Sequence, residues 1–140
     1  MKDPIHRVVT ELVRKSLEGV VPDGWFVSSQ DPITLGASEP EPDVAVVRGA
    51  LRDYLQQHPT ATDVGLVVEV AGVSLQRDQT LKRRIYATAG IPQYWIVNLV
   101  DRCIEVYHQP ASANVGAELD CRHFVARTRW PWFWKAVAWG

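Results

Sequence analysis

The segment Gly65-Leu66-Val67-Val68-Glu69-Val70 limits what this chain can become more than any other. Its apolar residues do not alternate with polar ones, so it reads as a strand buried on both faces, in the middle of a sheet. Glu69 interrupts it. A carboxylate in such a place is costly unless it is paired, protonated or bound to a metal. A second acid, Asp43, breaks a similar run at Glu41-Pro42-Asp43-Val44-Ala45-Val46-Val47. A fold that accepts this sequence must give both acids a partner.

The remaining pattern supplies the elements around that strand. Asp3-Pro4 caps a helix over residues 4 to 18, with Ile5, Val8, Val9, Leu12 and Leu17 at helical spacing. Residues 25 to 29 and 33 to 35 read as short strands, 43 to 47 as a strand, and 50 to 57 as a short helix. A helix is expected over 77 to 89, with Gly90 stopping it and Pro92 blocking continuation. Residues 94 to 98 and 103 to 107 read as a hairpin. This order predicts an α/β domain, a mixed β-sheet with a helix on each face. At 140 residues the chain suits a single domain over residues 1 to 140. The segment 109 to 140 is atypical, and holds Trp130, Trp132, Trp134 and Trp139. An unusual core element or a frameshifted or truncated gene explains these tryptophans better than a stacking platform, because basic residues are not interleaved with them.

Fifteen basic residues against sixteen acidic ones leave a net charge of −1, so any nucleic-acid contact must be local. Arg77, Lys82, Arg83 and Arg84 form such a cluster. Two cysteines make no disulfide framework, and no apolar run approaches a membrane span, so a cytoplasmic protein without membrane contact is expected. The four histidines are scattered and read as structural or surface residues. A glycine-rich phosphate loop and a nucleophile elbow are both absent from the sequence.

Asp78, Leu81, Lys82, Ile85, Tyr86 and Ala89 share one stripe of the second helix, which should face the sheet. Arg77, Arg83 and Arg84 fall off it, free for solvent or a phosphate. Asp78 and Lys82 alone read as an i,i+4 pair worth a few tenths of a kcal/mol. The loop after Glu69, however, should return this helix onto its own sheet near that acid. Magnesium between Asp43 and Glu69 answers the cost of burying them, since hard cations prefer carboxylate oxygens. Such an ion binds a phosphate oxygen and acidifies water, and a nearby lysine stabilises charge growing on the phosphate.

Four pieces taken together resemble one family. They are Pro42-Asp43-Val44, Leu66-Val67-Val68-Glu69-Val70, Asp78-x-x-x-Lys82-x-x-x-Tyr86 and Ala89-Gly90-Ile91-Pro92-Gln93-Tyr94-Trp95-Ile96-Val97. In order and spacing they look like the Uma-type restriction endonucleases of the PD-(D/E)XK nuclease superfamily, from about His6 to Tyr107. The resemblance implies a restriction-endonuclease-like fold and DNA hydrolysis with Mg2+ or Mn2+. It makes Asp43 and Glu69 metal ligands, with the Val70 carbonyl as a further one. The superfamily's usual lysine stands two residues after the second acid, where this chain has Ala71. Lys82 is the substitute, Asp78 would orient it, and Arg77, Arg83 and Arg84 would contact DNA. A homodimer acting on two strands follows by analogy.

The alternative is a catalytically inactive nuclease-like binding or assembly domain. Family members carry a glutamate-bearing hairpin ahead of the first helix, whereas this chain opens on the helix. Its near-neutral charge leads to the expectation of weak, salt-sensitive DNA binding and weak or absent cleavage.

Overall fold

The computed structural model describes residues 3–108 and 123–124. Helix α1 (Pro4–Glu18) starts as the sequence predicts, with the Asp3 side chain accepting the His6 N–H and Pro4 in the first turn. Six strands follow: β1 (Trp25–Ser29), β2 (Val44–Arg48), β3 (Val64–Ala71), β4 (Gln93–Asn98), β5 (Cys103–His108) and β6 (His123–Phe124). They form one sheet whose spatial order is their chain order. Every neighbouring pair is antiparallel except β3 and β4, which are parallel. A parallel pair needs a crossover, and helix α2 (residues 75–88) provides it.

Two apolar clusters sandwich the sheet. On one face Val9, Val13 and Leu17 of α1 pack with Val44, Val46, Leu66, Val68 and Val70. On the other, Tyr86 of α2 packs with Ala45, Val47, Val67, Ala71, Tyr94, Ile96 and Tyr107. β3 feeds both clusters alternately, which is why its sequence carries no polar face. Glu69 lies between Val67 and Ala71, so alternation turns it toward α2. At Gly65 an added Cβ would lie 3.1 Å from the Trp25 ring, so a side chain there would press on that indole. Gly90, at φ +84°, takes the left-handed turn that ends α2.

Three expectations change. Residues 33 to 35 make only isolated bridges, Thr34 to Thr60 and Leu35 to Ser38, because Gly36 at φ +63° folds the segment on itself. The helix expected over 50 to 57 is a single 3₁₀ turn, Leu51–Tyr54, closed by the Ala50 N–H on the Asp53 carboxylate. The second helix starts two residues early and contains a π-helical stretch, Asp78–Lys82, between α-helical Leu75–Arg77 and Arg83–Thr88. The wide turn alters the rotation per residue, so the expected stripe slips. Leu81 comes out to 45% exposure, and the Arg83 guanidinium lies 4.5 Å over the Tyr107 ring instead of reaching freely into solvent. The tryptophans of the 109–140 segment lie outside the described residues.

Ile96 is fully buried and faces α2 between the lines of Glu69 and Glu105, its register partners on β3 and β5. Ile96→Ala should lower the unfolding free energy by about 3 kcal/mol, measured by urea denaturation, because the sheet cannot close over the gap.

Candidate active site

β2 and β3 place the two acids opposite each other. Their antiparallel register pairs Val44 with Val68, and one step further stand Asp43 and Glu69. There the carboxylates replace backbone carbonyls as acceptors. Glu69 Oε1 accepts the Asp43 N–H at 2.9 Å, and Asp43 Oδ2 accepts the Val70 N–H at 2.8 Å. Each acid thus ties down the strand of the other.

The first turn of α1 and the π-helical stretch of α2 then close on this pair. From α1, His6 Nε2 lies 3.1 Å from Asp43 Oδ2. From the π-helical part of α2, the Lys82 ammonium donates to Glu69 Oε2 and lies 3.2 Å from Asp78 Oδ1. Asp78 is itself 1% exposed and accepts from the Ser74 hydroxyl at 2.9 Å. Tyr94 donates from its hydroxyl to the Asp78 carbonyl at 2.9 Å, fixing the π turn to β4. Lys82 is therefore a counter-charge between two buried acids, not the surface i,i+4 pair that helix spacing suggests.

Burial pushes the Glu69 carboxyl up to about 7, the Asp43 charge adds to this, and Lys82 opposes it. For Lys82, burial works against the charge, but Glu69 and Asp78 together outweigh it and raise its pKa. The Tyr86 and Tyr94 phenols are raised by burial first and by the Glu69 and Asp78 charges second, so they stay protonated donors.

The structure brings Asp43, Glu69, Lys82 and Asp78 into one cluster, with Val70 joined through its N–H. It does not gather the arginines there. Arg77 is exposed, Arg83 stacks on Tyr107, and Arg84 lines a separate groove with Thr34, Thr60 and Thr88. Two neighbours of the cluster escape sequence reasoning. His6 reads as a scattered histidine because its partner is 37 residues away. Glu105, 6% exposed, holds Gln79 of the π turn at 2.8 and 3.0 Å, Asn98 at 2.8 Å and the Tyr107 hydroxyl. Its signal, an acid inside the run Cys103-Ile104-Glu105-Val106, is of the same kind that singles out Glu69.

Among the described residues no three His, Cys, Asp or Glu side chains converge as a metal cage. The Asp43 and Glu69 pair suits a hard octahedral ion such as magnesium, which keeps several waters and takes one or two carboxylates.

A family model described as "Uma2: Putative restriction endonuclease" matches residues 1–125. A solved structure from Anabaena variabilis ATCC 29413, described as a "putative nuclease belonging to DUF820", superposes with a TM-score of 0.61 at 14% identity. The match covers 77% of this chain and 64% of that one, so the chain spans less than two thirds of its neighbour, and the likeness is one of fold. No curated protein matches the chain.

The raised Glu69 pKa has a signed consequence for stability. The folded chain binds this proton more tightly than the unfolded chain. The stabilisation is complete below the unfolded value of 4.5 and is lost as pH rises through about 7. Denaturation across this window should show a decline of roughly 3 kcal/mol, and Glu69→Gln should flatten it.

Proposed function

The chain belongs to the Uma2 family, and we propose that its acid and lysine cluster is the hydrolytic centre of a divalent-metal-dependent endonuclease acting on DNA. The observation that carries this reading is Glu69. It lies opposite Asp43 and in contact with Lys82, yet its carboxyl remains pushed up to about 7. Protein groups alone leave its negative charge incompletely compensated, and a cation completes the compensation. Asp43 and Glu69 would hold Mg2+ or Mn2+, with the Val70 carbonyl as a further oxygen. Bound there, the ion supplies Lewis acidity toward a phosphate oxygen and makes water a better nucleophile.

The chain's own residues do the rest. Lys82 meets the negative charge that grows on the phosphate oxygens, in a half-buried setting beside two buried acids. Asp78 anchors Lys82 from the opposite side, so the ammonium stays in place when Glu69 is otherwise engaged. His6 and the Val70 N–H orient the Asp43 carboxylate. Arg77 and Arg84 are exposed and would each meet the nucleic-acid backbone separately, while Arg83 stacks on Tyr107. The acting unit is a homodimer, one site for each strand, working in the cytoplasm.

One observation favours a second reading, a non-catalytic binding domain. Glu69 and Asp43 already accept two backbone N–H groups and face Lys82 and His6. A single pair of experiments separates the readings. Supercoiled plasmid with Mg2+ or Mn2+ at low salt should be nicked slowly by the native chain and left intact by Asp43→Ala. Calorimetric titration with Mn2+ below pH 7 should show binding coupled to proton release. Intact plasmid and no heat of binding would leave the binding domain.

Lys82→Met should cut the cleavage rate by about 100-fold and also cost about 3 kcal/mol, because two buried acids lose their counter-charge. Cleavage rates and denaturation midpoints for the same preparation check both figures.

A further inference from the structure

A cavity of about 580 Å³ opens on the α1 side of the acid cluster, walled by Asp3, Arg7, Thr10, Glu11, Ser29 and Gln30. It is joined directly to Asp43. The Ser29 hydroxyl donates to the Asp43 carbonyl at 3.0 Å, and the Gln30 N–H donates to the same carbonyl at 3.1 Å. His6, which contacts the Asp43 carboxylate, lies one turn before Thr10 on the same helix.

Thr10 is the unusual member. The residue is 3% exposed, and its hydroxyl has no hydrogen-bond partner among the described residues. A threonine in a helix ordinarily bonds the carbonyl one turn back, and a buried hydroxyl without a partner is destabilising. Here the residue that carries it forms part of a cavity wall. Arg7 and Gln30 are exposed in the same cavity, and neither side chain makes an ion pair or hydrogen bond among the described residues. Gln30 also holds a left-handed backbone, φ 59°, that is uncommon for a residue with a side chain. The two acids are already engaged. Glu11 pairs with Arg14 at 2.9 Å, and Asp3 caps the helix through the His6 N–H.

The Arg7 guanidinium makes no close ion pair among the described residues and meets the Glu11 charge only at longer range, so it suits a phosphate. A carboxamide and a hydroxyl suit the edge of a base and a sugar. The volume is that of a small-ligand pocket, and Asp43 ties the cavity to the proposed cleavage centre. We infer that this cavity is a subsite for one unpaired nucleotide flanking the scissile phosphate, with Arg7 on its phosphate and Thr10 and Gln30 on its sugar and base. The inference rests on the nuclease reading for the identity of the ligand.

Fluorescence anisotropy with short labelled single-stranded oligodeoxynucleotides, in chelator so that nothing is cut, tests it on the full chain. Thr10→Val removes a hydroxyl without a partner, and Gln30→Gly relieves a left-handed backbone, so both variants should be as stable as the native chain or more so. Each should nevertheless weaken oligonucleotide binding by about tenfold. Gln30→Gly should also flatten any preference among homopolymers of the four bases. Arg7→Ala should reduce the slope of log affinity against log salt by about one. Native affinity and salt slope in all three variants would overturn the subsite, as would a native chain that binds no oligonucleotide. Binding that falls in the variants, with no cleavage under any metal, would remove the nuclease reading and leave the subsite standing. Plasmid cleavage with binding untouched by the variants would do the reverse.

Discussion

The ladder between β2 and β3 ends in carboxylates. Asp43 and Glu69 each accept the backbone N–H that the opposing strand presents. Charge-assisted bonds of this kind are among the stronger ones in proteins, and they fix both acids against the backbone of the opposing segment. The arrangement also creates a demand. Two negative groups face each other at the end of a sheet, and Glu69 is 1% exposed. Something positive has to reach them, and α2 crosses the sheet so as to bring Lys82 there.

The π-helical stretch shows how that demand shapes the backbone. Asp78–Lys82 is tied down at three points: Tyr94 on the Asp78 carbonyl, Glu105 on the Gln79 carboxamide, and Glu69 on Lys82. Such stretches are often found at functional sites. In this one, every tether is a polar contact to β3, β4 or β5, and the Tyr94 bond is fully buried. Glu105 acts on Gln79 as Glu69 acts on Lys82, so two acids on the same face hold one turn of helix from either side of Ile96. Asn98 and the Tyr107 hydroxyl satisfy Glu105 in turn, which makes that second acid tolerable in the core.

Much of this is legible in the sequence. The unalternating run around Glu69 marks the central strand because a strand flanked on both faces has no polar side to show. Asp3-Pro4 and Gly90-x-Pro92 mark helix ends because their backbone preferences hold almost regardless of context. The Uma2 membership follows from motifs that the residues carry in order. The π turn was not legible, since no residue type demands it and it arises from contacts with distant strands. For the same reason Leu81 and Arg83 exchange the surroundings that helical spacing assigns them. His6 was hidden by sequence distance. The basic cluster at Arg77, Arg83 and Arg84 looked like one surface only because the residues are close in the chain.

Sheet order equal to chain order also bears on how the molecule assembles. Strands β1, β2 and β3 can pair one after another through connections that need no helix. The parallel pairing of β3 with β4 waits for the crossover to dock. A chain halted before that step carries Asp43 and Glu69 side by side but has no ammonium between Glu69 and Asp78. The complete cluster therefore exists only once the crossover helix has docked, and a chain in which α2 has yet to dock holds the acids without the lysine that the proposed chemistry requires.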